Sequence, residues 1–111
     1  MDTLLEKKCV PCEGGASPLT REQVEPYMSQ VPGWSVDGEV KHLSKDYKFP
    51  DFMTALQFAN QIGEVAEAEG HHPDLTVSWG KVGVMLTTHA VGGLSENDFI
   101  LAAKIDALTK K

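Results

Sequence analysis

The chain has 111 residues, of which 41% are apolar, and carries a formal net charge of −6. That is the size of one domain with a modest core, and no apolar run approaches the roughly 20 residues that cross a bilayer. The acidic balance opposes non-specific binding to nucleic acid, which needs a basic surface against phosphate, and leaves a small molecule or another protein as the expected partner.

Residues 1–18 gather glycine, proline and serine and are predicted to be a flexible N-terminal arm, with 19–111 as a single domain. Residues 1–8 hold no long apolar stretch, which predicts no secretory signal and a cytoplasmic protein. A transit segment removed in processing would leave no mark. The arm contains Cys9-Val10-Pro11-Cys12. One C-x-x-C supplies two ligands where a structural zinc takes four, and the loop after it lacks the βαβ context of a thioredoxin-like motif. Two reduced thiols are expected; a metal completed by a histidine or a second subunit is the alternative.

Thr20 can cap a helix, with Gln23 at the capping-box position and Leu19 and Val24 as a hydrophobic staple. Pro26 lies past the first turn and removes a helical hydrogen bond, so the helix should be short or distorted and end near Val31-Pro32-Gly33. A strand starts at Trp34. Asp37-Gly38 predicts a two-residue hairpin that returns over 39–48, with Lys41, Leu43, Lys45, Tyr47 and Phe49 on one face. Over 52–69, Phe52, Ala55, Leu56, Ala59, Ile62, Val65 and Ala66 recur at helical spacing, and Gly70 suits the helix end. Phe52, Met53 and Phe58 are expected in the core. Leu75, Val77 and Trp79, then Val82, Val84 and Leu86, alternate around a Gly80-Lys81 loop as a second hairpin. Ser95 opens a last helix to about Thr109. The order helix-strand-strand-helix-strand-strand-helix predicts an α+β fold: a four-stranded antiparallel sheet with three helices packed on one face.

Three of the four histidines lie between 71 and 89. A loop at Gly80-Lys81 pairs Trp79 with Val82, Val77 with Val84 and Leu75 with Leu86. The same register sets His72 opposite His89, on the face away from Leu75 and Val84. His71 points the other way unless the chain bends before Pro73. Histidines titrate near neutral pH, so this group could supply an acid and a base together. Scattered surface or capping histidines are the alternative. A shared metal ion is disfavoured, because adjacent residues of a strand diverge. Asp98, third after the Ser95 cap, has an electrostatic role at the helix N-terminus as its competing explanation. No cysteine lies near the cluster in sequence, and no serine has a nucleophile's setting.

The run of Glu67, three residues, His71-His72-Pro73, five residues, Trp79, nine residues, His89, eight residues, Asp98 resembles the signature of the pterin-4a-carbinolamine dehydratases. Trp79-Gly80-Lys81-Val82, Thr87-Thr88-His89, Gly93-Leu94-Ser95-Glu96 and Val31-Pro32-Gly33-Trp34 are similar to that family too, and the likeness spans roughly residues 19–109. Gly70 and Asn97 depart from the vertebrate pattern, where an acidic residue and an arginine can stand. The resemblance implies dehydration of 4a-hydroxytetrahydrobiopterin to the quinonoid dihydropterin in tetrahydrobiopterin recycling, with neither metal nor organic cofactor. It implies His71, His72 and His89 as catalytic residues, and Glu67, Pro73, Trp79 and Asp98 as binding or supporting residues. It further implies a homodimer or homotetramer and a functional link to an aromatic amino acid hydroxylase. The alternatives are a non-catalytic dimerisation or transcription cofactor of the same fold, and a metal-binding protein using Cys9 and Cys12.

Overall fold

The computed structural model describes Leu4, Cys9 and residues 17–109. In chain order the elements are α1 (Arg21–Met28), β1 (Ser35–Val36), β2 (Leu43–Lys48), α2 (Phe52–Glu69), β3 (Asp74–Ser78), β4 (Lys81–Leu86) and α3 (Glu96–Ala107). The four strands form one antiparallel sheet in the order β1-β2-β4-β3, and the three helices cover one face of it, as the alternation of apolar residues predicts. Leu43 and Tyr47 on β2 and Val82, Val84 and Leu86 on β4 point into the core. There they meet Val24 of α1, Ala55, Phe58 and Ile62 of α2, and Leu101 and Ile105 of α3. Each such large side chain removed from water contributes about 1.5–3 kcal/mol. No helix among the described residues is long and apolar enough to cross a membrane.

The helix ends follow their local chemistry. In α1 the Thr20 side chain accepts from Gln23 N–H and the Gln23 side chain accepts from Thr20 N–H. Such a box contributes about 1 kcal/mol per cap. Pro26 sits within α1, which is short as expected and stops at Met28. Asp51 caps α2 by accepting from Thr54 N–H at 2.7 Å. Of the three large side chains expected in the core around α2, only Phe58 is buried; Phe52 and Met53 lie at the helix start and are exposed.

Both hairpins differ from expectation in register. Val36 pairs with Leu43, and the strand returns from Leu43 rather than Glu39. The Asp37 side chain is the reason. Its Oδ1 accepts from Lys41 N–H at 2.7 Å and His42 N–H at 3.1 Å, and its Oδ2 bonds His42 Nδ1 at 2.8 Å. These bonds hold a longer loop in place of a two-residue turn, with Val40 at φ 58°. In the second hairpin Val77 pairs with Val82 and Leu75 with Val84. The turn is Trp79-Gly80, not Gly80-Lys81. Gly80 takes the left-handed φ of 71° that L side chains avoid. A Cβ there would stand 3.0 Å from the Phe49 carbonyl oxygen. Trp79 is therefore unpaired, and His72 and His89 are not cross-strand neighbours: β3 starts at Asp74 and β4 ends at Leu86, before either is reached.

Within the predicted arm, Leu4 is buried in the core and its N–H donates to Gln30 Oε1 at 3.1 Å. Cys9 N–H donates to Glu69 Oε1 at 2.8 Å. Cys12 and most of the arm lie outside the described residues.

Candidate active site

The histidines gather at one end of the sheet by three local devices. The first is the C-terminus of α2. Gly70 adopts the left-handed conformation, and the N–H groups of Gly70 and His71 both donate to the Ala66 carbonyl, at 2.9 and 3.2 Å. The chain thus turns sharply off the helix, and His71 folds toward α3. The second is the start of α3. Asp98 Oδ2 accepts from Ser95 N–H at 3.0 Å and from the Thr88 hydroxyl at 2.8 Å, while Oδ1 meets His71 Nε2 at 2.6 Å. The third is the β4–α3 connection, where Thr88 N–H donates to Gly93 O at 2.8 Å. The chain between them curls into a single 3₁₀ turn, His89–Val91, with His89 at its head.

Asp98 is fully buried and the His71 side chain is 13% exposed, so their bond lies out of water. A carboxylate can only accept, so Nε2 donates, and in the neutral ring Nδ1 is then the acceptor. The competing explanations for Asp98 are reconciled: one oxygen serves the helix start and the other orients a histidine. His72 behaves differently. Its Nε2 bonds Glu67 Oε1 at 2.9 Å, with both side chains mostly exposed, and such a pair contributes little to stability. His89 is exposed, and its ring has no hydrogen-bond partner among the described residues.

His71, His72 and His89 line one cleft of about 420 Å³, with Thr87, Thr88, Ala90, Asn97, Glu69, Gly70 and Cys9 as the other walls. The volume falls within the range of about 300–1,000 Å³ for small-molecule sites. Of the residues picked from sequence, Asp98 stands behind His71, Glu67 beside His72, and half-buried Pro73 directs the chain from His72 into β3. Trp79 does not join them. It is 73% exposed at the hairpin tip, the opposite end of β3 from the histidines. Among the described residues no three His, Cys, Asp or Glu side chains are gathered as a metal would need.

Sequence reading missed Glu69 and Thr88 as parts of the site; it held Cys9 only as a metal ligand in the alternative reading and Asn97 only as a departure from the family pattern that bears on substrate contacts. Cys9, far from the cluster along the chain, is close to it in the fold. Its Sγ lies 3.6 Å from Asn97 O, and its backbone is held by Glu69, which also pairs with Lys104 at 3.6 Å. Burial, then the negative charge of Glu69, pushes the Cys9 thiol up to about 12. A thiol so protonated is a wall of the cleft and a poor nucleophile. The available signal was the pair Thr87-Thr88 after the apolar alternation ends at Leu86. Two hydroxyls where a strand stops suggest side chains turned toward a polar site.

The profile of the pterin 4 alpha carbinolamine dehydratase family matches residues 17–108. A Rickettsia bellii protein provisionally named pterin-4-alpha-carbinolamine dehydratase is 52% identical over 106 residues, covering 96% of this chain and 94% of its own length. One of the same provisional name from Halorhodospira halophila is 50% identical, covering 96% and 97%. Among solved structures, the transcriptional coactivator/pterin dehydratase of Brucella melitensis superposes with a TM-score of 0.77 at 30% identity, over 83% of this chain and 98% of that one. A pterin dehydratase-like protein described as a RuBisCO assembly factor of the alpha-carboxysome shares the fold, with a TM-score of 0.62 at 22% identity, over 74% and 95%. Profile, near relatives and fold agree along almost the whole length: the chain belongs to the pterin 4 alpha carbinolamine dehydratase family.

Proposed function

We propose that the chain dehydrates a 4a-hydroxytetrahydropterin, 4a-hydroxytetrahydrobiopterin in tetrahydrobiopterin recycling, to the quinonoid dihydropterin by histidine acid–base catalysis. The observation that carries this reading is the convergence on one cleft of His71, backed by buried Asp98, and His89, whose ring is unpartnered among the described residues. Loss of water from the carbinolamine breaks the C4a–O bond. An acid gives a proton to the departing hydroxyl, a base takes the N5 proton, and the nitrogen electron pair forms the C4a=N5 bond. In this reading His71 Nδ1 is the base, and Asp98 supports the imidazolium that forms. His89 contacts the pterin and delivers the proton to oxygen. His72, steadied by Glu67, shares the acid–base work at the open side of the cleft. The pterin substrate, a homodimer or homotetramer, a cytoplasmic setting and a link to an aromatic amino acid hydroxylase belong to the same reading.

Stopped-flow absorbance of a freshly generated 4a-hydroxytetrahydropterin tests it. Decay to the quinonoid product should be faster with the protein than without, and unchanged after dialysis against EDTA. No acceleration would return the chain to the binding-module alternative, which the coactivator name of the Brucella relative keeps in view. Loss of activity on dialysis that zinc restores would favour a metal role for Cys9, Cys12 and the histidines.

A further inference from the structure

Thr88 is buried at 5% exposure, between the two halves of the proposed catalytic pair. Its hydroxyl has one proton, and that proton goes to Asp98 Oδ2 at 2.8 Å. The contact with Ser95 Oγ at 2.8 Å must then run the other way, with Ser95 donating. A directed chain results: the Ser95 hydroxyl donates to the Thr88 hydroxyl, which donates to Asp98, and His71 Nε2 donates to the other oxygen of the same carboxylate. Two donors on Oδ2 leave Oδ1 turned to the imidazole. The Thr88 backbone meanwhile pairs with Gly93 at 2.8 and 3.4 Å and so closes the turn that begins at His89.

We propose that Thr88 is a positioning residue: its hydroxyl sets the carboxylate that orients His71, while its backbone fixes the turn that presents His89. The kinetic part of this proposal rests on the dehydratase reading above; the geometric part does not. A hydroxyl held on both sides costs no reorganisation when the histidine changes charge. Valine is close to threonine in shape and cannot donate. Without this donor, Oδ2 keeps only the Ser95 N–H, and the buried carboxylate holds His71 less firmly in its working orientation.

Thr88→Val, Thr88→Ser and wild type should be compared by kcat and KM for dehydration, and by the imidazole N–H signals in proton–nitrogen NMR. The valine variant should lose about tenfold or more in kcat, the usual loss when a residue supporting a catalytic group is removed, with KM little changed. The serine variant should recover most of the rate. The strongly hydrogen-bonded His71 Nε2–H should give a downfield, slowly exchanging signal in wild type and Thr88→Ser. In Thr88→Val it should move upfield and exchange faster. If valine does not fold, Thr88→Ala removes the same donor and carries the same prediction. Equal losses in the serine and valine variants would overturn the proposal, and so would an unchanged His71 signal in Thr88→Val. Should wild type show no dehydration, the functional reading fails and the NMR comparison, which needs no substrate, decides the positioning role alone.

Discussion

At the scale of single residues, the three histidines divide by what holds them. His71 is buried against a carboxylate that is itself pinned from two sides; His72 shares an exposed bond with Glu67; His89 is held by backbone alone. The division gives His71 the firmest orientation and leaves His89 the most accessible ring. Cys9 gives the cleft a thiol with the opposite of a nucleophile's electrostatics. Near pH 8 a thiol pushed up to about 12 rather than the ordinary 9.0 has far less thiolate. Greater intrinsic nucleophilicity offsets about half of that on a logarithmic scale, so Cys9 should alkylate about 30-fold more slowly than free cysteine. Iodoacetamide labelling in a Cys12→Ser background measures this. The rate should climb steadily with pH beyond 9, and Glu69→Gln, by removing the nearby negative charge, should speed it. Rapid labelling at pH 7 would contradict the account.

At the scale of elements, Gly80 decides where the second hairpin turns. Gly80→Ala must place a side chain at positive φ and 3.0 Å from the Phe49 carbonyl oxygen. It should cost about 2 kcal/mol or more in urea unfolding; a loss within about 0.5 kcal/mol, the range of an ordinary surface change, would show that the turn lies elsewhere. This turn also shows what the sequence could reveal. The α2 boundaries were legible because an apolar stripe and Gly70 agree, and the structure adds a cap at Asp51. The hairpins were legible in kind and face but not in register. A slip of one residue turns every side chain over, whereas a slip of two keeps each on its side. Val77 opposite Val84 and Val77 opposite Val82 look equally apolar, and only the conformation of Gly80 chooses between them. The first hairpin slipped by four for the same reason, with Asp37 engaged to His42 and Lys41 instead of forming the tight turn. The histidines of the candidate site were legible as residues. Their gathering was not, because it depends on where α2 ends and α3 begins rather than on strand pairing.

At the scale of the whole molecule, one buried carboxylate ties the sheet to the last helix. Asp106 of α3 accepts from Trp34 Nε1–H at 3.1 Å, from Lys45 Nζ at 2.9 Å and from the Tyr47 hydroxyl. Burial, then this bond to Asp106, raises the Tyr47 phenol well above its ordinary range and keeps it a donor. Asp106→Ala strands the Trp34 and Tyr47 donors in the core, takes the ion-pair partner from part-buried Lys45, and should destabilise by about 3–5 kcal/mol, read by thermal or urea unfolding. A loss under about 1 kcal/mol, the scale of an exposed pair, would mean that the network contributes no more than a surface one. The same helix carries Asp98 at its other end, so the packing that Asp106 secures also holds the carboxylate behind His71. His71 and His89 are proposed to remove water from the pterin carbinolamine together. Stopped-flow dehydration of freshly generated 4a-hydroxytetrahydropterin by wild type, His71→Ala and His89→Ala tests it most directly. Each folded variant should be slower by a factor of about 10² or more, the usual loss on removing an acid or base. Variants that fold and dehydrate at the wild-type rate would contradict it.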